Sequence, residues 1–247
     1  LIFIFAAIFF TQKAFADGDK VRILFIGNSL TTANDLPGML VHLAKSRHHE
    51  LECNAYAPVG YHLNQHAFDS LLALKINQGK WDFVVLQEQS QEPAFSPEQV
   101  GREVYFYAKK LCELIKSKNP GAKIIFYMTM ANKNGDRRNI AVSPELGTYE
   151  GTQRRVNKSY ITMARDNHAL IAPVGEAWQV VRRRYPEVEL YTDETHPNPT
   201  GTYLAACVFF STIFNEKVSG LSHPGFINDK IARHLQEIVD KVAGAAR

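Results

Sequence analysis

Strand-like runs alternate with helical stretches about five times along this chain, and that alternation leaves few architectures open. Val21–Ile26 is a short β-rich run stopped by Gly27. Residues 36–47 follow with apolar side chains at helical spacing: Leu36, Met39, Leu40, Leu43 and Ala44. Residues 51–57 read as a second strand, and 67–76 as a helix ended by Gly79. Phe83–Leu86 is apolar on both faces, which suits the middle of a parallel sheet. Ser96 and Pro97 open the next helix as cap and first residue, and it runs to about Ser117. A fourth strand is predicted over 123–130, a polar loop over 131–147 and a helix over 149–167. A short fifth strand over 169–173 precedes helices over 175–185, 198–214 and 229–242. The pattern predicts an α/β fold: a three-layer α/β/α, flavodoxin-like domain around a five-stranded parallel sheet. Ligands of such sheets bind at the C-terminal strand ends, beside a topological switch point.

The N-terminus reads differently. Leu1 to Phe10 are all apolar, the run stops at Thr11, and Ala14-Phe15-Ala16 precedes the polar Asp17-Gly18-Asp19-Lys20. A membrane span needs about 20 apolar residues. The segment therefore reads as a secretory signal over 1–16 whose basic start is missing, with one domain over 17–247 and export to the periplasm or medium. A net charge of +3, with no long basic block, gives no ground for a nucleic acid or membrane partner. The cysteines, Cys53, Cys112 and Cys207, are odd in number, sit in apolar stretches and lack Cys-x-x-Cys spacing. They read as small buried hydrophobes, with one disulfide left open.

Gly27-Asn28-Ser29-Leu30-Thr31 follows the first strand. A Ser here stands at the mouth of the sheet, where helix N-terminal N–H groups stabilise negative charge. In isolation the segment is ordinary turn and capping chemistry. A nucleophilic Ser needs a base, and the base needs an orienting group. Asp193-Glu194-Thr195-His196-Pro197 supplies both, since an acid three residues before a His can reach its imidazole. The reading requires Ser29 Oγ and His196 Nε2 on the same side of the sheet, about 3 Å apart.

Gly-x-Ser after the first strand and Asp-x-x-His-Pro before the last core helix together resemble the SGNH (GDSL-like) hydrolases. Val59-Gly60, the block Leu86 to Gln91, Pro173 to Trp178 and Gly201 to Ala206 extend the resemblance from about Lys20 to Phe214. They look like an exported bacterial subgroup of that superfamily known mainly as a domain of unknown function. The resemblance implies a serine esterase acting through an acyl-enzyme. Ser29 is then nucleophile, His196 base and Asp193 its orienting acid, and no cofactor or metal is implied. The oxyanion donors it implies are the N–H groups of Ser29 and Gly60 and an amide from the third block. That block has no Asn; Gln91 stands in register, with Gln89 the near alternative. Asn28 replaces the usual Asp and can hold its loop by hydrogen bonds. The implied substrate is a small-molecule or carbohydrate acyl ester, O-acetyl first, with a lipid or lysophospholipid ester as alternative.

Other residues invite other readings. His62 and His66, spaced i, i+4 with Asp69 beyond, have zinc-compatible spacing, though polar residues beside the site are the simpler account. Glu88 and Glu92 flank the third block as pocket-lining acids. Asn132, Asn134 and Asp136 follow the fourth strand and either shape the pocket or serve as ordinary loop residues. Trp178 and Tyr191 could stack on a sugar ring, with core packing the leading role for Trp178. A flavodoxin-like phosphate binder would explain the residues from Gly27 to Asn34 but not the Asp193/His196 segment. A non-catalytic glycan-binding relative would explain only the absent Asn.

Overall fold

The computed structural model describes residues 20–141 and 143–245. The signal segment therefore lies outside the described residues. Five parallel strands, β1 (Val21–Ile26), β2 (Leu51–Tyr56), β3 (Phe83–Leu86), β4 (Lys123–Tyr127) and β5 (Leu170–Ala172), form one sheet in the order β2-β1-β3-β4-β5.

Period-two alternation divides the apolar side chains between two cores. Ile23, Phe25, Phe83, Val85, Ile125 and Tyr127 face one layer. Leu24, Ile26, Val84, Leu86, Ile124 and Phe126 face the other. The first layer holds α2 (Leu36–Lys45), α8 (Val174–Arg184), α9 (Pro199–Phe214) and α10 (Asp229–Ala245). The second holds α4 (Ser70–Gln78), α6 (Phe106–Lys118) and α7 (Tyr149–Asp166). Three single-turn helices complete the set: α1 (Ser29–Thr32), α3 (Leu63–His66) and α5 (Pro97–Val100). This is the expected three-layer α/β/α fold.

Helix α9 has no polar face; every residue from Gly201 to Ser211 is buried. Phe209 packs edge-on against Phe25 and Tyr127, with ring centroids 5.3 and 5.1 Å away. Burying a side chain of this size contributes roughly 1.5–3 kcal/mol. The last core helix thus locks onto the sheet the loop that precedes it.

Three boundaries differ from the sequence pattern, each for a local reason. The helix expected over 67–76 starts three residues later, at Ser70, because Asp69 caps α4 by accepting from Leu71 N and Leu72 N at 2.8 and 3.1 Å. The strand expected to reach Met130 ends at Tyr127, where its ladder partner β5 also ends, at Ala172. The helix expected from Ser96 to Ser117 contains a wide turn at Gly101–Tyr105 between α5 and α6. Cys112 and Cys207 are buried, Cys53 is half-buried, and all three are free thiols. No helix among the described residues is long and apolar enough to cross a membrane.

Candidate active site

Strands β2 and β3 lie on opposite sides of β1, so the chain reverses direction across the sheet there. A crevice opens above the C-terminal ends of strands at such a point. Ser29 stands there as the first residue of α1, directly after β1.

The Ser29 loop is held by its neighbours. Asn28 is extended and caps α1, its Oδ1 accepting from Leu30 N at 3.1 Å. Its Nδ2 donates to Tyr61 O at 2.9 Å, and its backbone N–H donates to Gln87 Oε1 at 2.9 Å. Thr31 Oγ1 donates to the same Gln87 oxygen at 2.9 Å. His66 Nε2 donates to Gly27 O at 2.8 Å. A side chain at Gly27 would meet Gln87 Oε1 and Thr31 Oγ1, so the loop closes over Gln87 only with glycine there. Asn28 is buried. Its amide ties the loop to Tyr61 and does not face the crevice as a ligand contact.

The His196 segment is a turn closed by hydrogen bonds. Asp193 Oδ1 accepts from Thr195 N and His196 N, both at 2.7 Å. Thr192 N donates to His196 O at 2.9 Å, and Tyr191 and Pro197 form an antiparallel bridge. Asn198 then caps α9, its Oδ1 accepting from Gly201 N at 2.9 Å. Lys133 N donates to Glu194 O at 2.8 Å, and Asn34 Nδ2 donates to Pro197 O at 2.9 Å. The turn is thereby pinned from the β4 loop and from the segment after α1.

These anchors bring three side chains into line. Ser29 Oγ lies 3.0 Å from His196 Nε2, and His196 Nδ1 lies 2.9 Å from Asp193 Oδ2. The backbone N–H groups of His196 and Thr195 and the imidazole hold the Asp193 carboxyl down at about 2. The carboxylate can only accept, so the Nδ1 proton belongs to His196 and Nε2 is left to accept from Ser29. Neither Ser29 N nor Gly60 N has a hydrogen-bond partner among the described residues. Gly60 is exposed and its φ of 75° is left-handed, a conformation that favours glycine.

The third block is organised by residues whose roles are invisible in the pattern. Gln87, fully buried, is the hub of the Ser29 loop. Glu88, also fully buried, accepts from Gln89 N at 2.6 Å and from Leu63 N at 3.2 Å. It does not line the crevice. Gln89 Oε1 accepts from Gln91 N at 2.7 Å, which leaves Gln89 Nε2 free to donate. The Gln87 position was nonetheless readable: it continues the face of Phe83 and Val85 one step past the strand, toward α1 and α2.

Burial pushes the Glu88 carboxyl up to about 8, with Glu92 adding to the shift. Its folded value lies above its unfolded one, so its contribution to stability is full in acid and is lost as pH rises toward 8. Glu88→Gln is therefore expected to flatten the decline in Tm between weakly acidic and weakly alkaline solution, a difference on the order of a few kcal/mol. Thermal melts at both ends of that range check it; parallel curves for the two proteins would contradict it.

The structure separates the zinc-spaced residues. His62 Nδ1 faces Glu92 Oε1 at 2.7 Å, His66 binds Gly27 O, and Asp69 accepts from Tyr56 OH at 2.6 Å. His62, Glu88 and Glu92 do converge, their polar atoms within 4.8 Å of one another. That group is closed on itself by the ion pair and on Leu63 and Gln89 by hydrogen bonds. Asn132 Oδ1 accepts from Thr195 Oγ1 at 3.2 Å, and Asn134 Nδ2 donates to Glu194 at 2.8 Å; both brace the His196 turn. Asp136 is buried and accepts from Asn139 Nδ2 at 2.6 Å. Trp178 and Tyr191 are buried edge-on against each other, centroids 5.0 Å apart, so neither ring offers a face to a sugar.

No protein-family model and no curated protein matches the sequence. Solved structures do. A DUF4886 family protein from Bacteroides uniformis superposes with a TM-score of 0.78 at 16% identity, over 91% of this chain and 95% of its own. An acetyl-xylooligosaccharide esterase from Geobacillus stearothermophilus does so at 0.55 and 18%, over 84% and 99%. These two are alike in fold. A protein of Slackia heliotrinireducens described as an SGNH hydrolase is 32% identical, with a TM-score of 0.63, over 79% of this chain and 100% of its own. Identity of that extent over a whole relative, on the same parallel sheet, makes this chain a member of the SGNH hydrolase family.

Proposed function

We propose that the protein is a serine esterase that removes O-acyl groups, acetyl first, from carbohydrate. The observation that carries the reading is the unbroken relay from Ser29 Oγ to His196 Nε2, 3.0 Å, and from His196 Nδ1 to Asp193 Oδ2, 2.9 Å. His196 takes the Ser29 proton as Oγ attacks the ester carbonyl. The oxyanion is held by the N–H groups of Ser29 and Gly60 and by an amide of Gln89 or Gln91. His196 returns the proton to the departing sugar oxygen, leaving an acyl-enzyme. A water molecule, deprotonated by His196, attacks the acyl carbon; acetate leaves and Ser29 is reprotonated. Asp193 stays ionised throughout, since its carboxyl is held at about 2.

The substrate class rests on the sequence and on fold. An acetyl-xylooligosaccharide esterase shares this fold, which makes acetylated oligosaccharide the first substrate to test. Wild type is expected to hydrolyse a chromogenic acetate faster than a long-chain acyl ester and to release acetate from acetylated xylooligosaccharide. Preference for the long chain would favour a lipid ester instead, and inactivity on all three would sink the esterase reading. The same proposal places the protein outside the cytoplasm, with signal cleavage before Asp17; N-terminal sequencing of the mature chain tests this, and an intact Leu1 segment would refute it.

A further inference from the structure

The oxyanion reading needs two separate segments held in register. One is the turn after β2 that carries Gly60; the other is the segment after β3 that carries Gln89 and Gln91. The sheet does not hold them, because both lie beyond the strand ends. His62 joins them. Its Nδ1 is 2.7 Å from Glu92 Oε1 and 3.9 Å from Glu88 Oε1, while its backbone N–H donates to Gln65 Oε1 at 3.0 Å. The pair is sheltered, with side-chain exposures of 30% for His62, 18% for Glu92 and none for Glu88. Glu88 makes the second tie, from Leu63 N on one side to Gln89 N on the other.

We propose that His62 is a positioning residue of the hydrolytic site, its imidazolium clamped on Glu92 so that the Gly60 turn and the Gln89–Gln91 segment stay aligned around Ser29. This rests on the esterase reading and deepens it.

The charges around the imidazole have a definite sense. The Glu92 carboxylate, 2.7 Å from Nδ1, pushes the His62 pKa up, burial opposes it, and the charge of Glu88 adds to the rise. Within α3, His66 is kept toward its neutral form by burial. The clamp is therefore closed in acid and opens as the pH rises and His62 loses its proton. Glu88 ionises with its carboxyl pushed to about 8, and because it faces His62 the two titrations are linked.

The test measures kcat and KM on a chromogenic acetate, from weakly acidic to alkaline pH, for wild type, His62→Gln, Glu92→Gln and Ser29→Ala. An NMR titration of His62 in the wild-type chain and in Glu92→Gln accompanies it. A segment displaced by about 1 Å can cost up to about a hundredfold. Both clamp variants are expected to lose about tenfold in kcat with KM changed by no more than about twofold. His62→Gln should flatten the alkaline limb of the wild-type profile, and Glu92→Gln should move it to lower pH. In the NMR arm His62 should titrate above an ordinary histidine, and lower in Glu92→Gln. Wild-type kcat and an unchanged pH profile in both variants, with Ser29→Ala inactive, would overturn the clamp and leave the esterase reading standing. Activity retained in Ser29→Ala would instead bring down that reading and the clamp with it. A His62 pKa at or below the ordinary value in wild type overturns the clamp even where a variant fails to fold.

Discussion

Ser29→Ala is expected to lower kcat/KM on a short-chain acetate by about 10⁴-fold or more, with little change in Tm. In the proposed mechanism the hydroxyl is the atom that bonds to the acyl carbon, so its loss is large; no neighbouring hydroxyl occupies its place beside His196. The fold should be indifferent, because the Ser29 side chain makes one hydrogen bond, to His196, and is only half-buried. The loop is held by Asn28, Thr31 and Gly27, all of which the substitution leaves intact. His196→Ala should cost a similar factor, and the double variant little more than either, since the two act as one unit. Steady-state kinetics with a parallel thermal melt separate the outcomes. Activity within tenfold of wild type in either single variant would remove Ser29 from the mechanism.

Gln87→Leu should be nearly as damaging although Gln87 touches no substrate. Its Oε1 accepts from both Asn28 N and Thr31 Oγ1, at 2.9 Å each, in a place closed to solvent. Leucine fills comparable volume and accepts nothing. Two buried donors lose their partner, at about 1–3 kcal/mol each. The stability loss is accordingly expected at about 2–6 kcal/mol, read as a fall in Tm. Asn28 and Thr31 bracket Ser29, so the nucleophile moves with them, and a displacement near 1 Å can cost about a hundredfold in kcat. Gln87→Glu retains an acceptor and should keep more activity than Gln87→Leu. Equal, near-wild-type activity in both would mean that the hub does not position Ser29.

The fold was legible where local chemistry and tertiary demand agree. Strands β1 and β3 are short apolar runs between turn residues, and both ends lie where the pattern puts them. Strand β4 was over-read, because apolar side chains continue to Met130 while its hydrogen-bond partner runs out at Ala172. The helix over 67–76 was misplaced because Asp69, polar in a helical pattern, is a cap. Ser29, Asp193 and His196 stand out in the sequence through motif and position, and the structure sets Ser29 and His196, 167 residues apart, within hydrogen-bond distance. The hydrogen bonds that hold the Ser29 loop were not legible, even where a position such as Gln87 was. Gln87 binds Asn28 across 59 positions and His66 binds Gly27 across 39, and no spacing rule links such pairs. Tyr191 failed as a sugar platform for the same reason: its ring is covered by Trp178 and its hydroxyl donates to Ala131 O at 2.6 Å.

The relay around Ser29 can be tested without any natural substrate. A fluorophosphonate probe reacts with a serine whose proton is being taken by a base, and the adduct is located by peptide mass spectrometry. The geometry predicts one adduct, on the peptide bearing Ser29, abolished in Ser29→Ala and strongly slowed in His196→Ala. An adduct on another residue, or none on Ser29 in a folded protein that hydrolyses acetate esters, would contradict the assignment of Ser29 as the nucleophile.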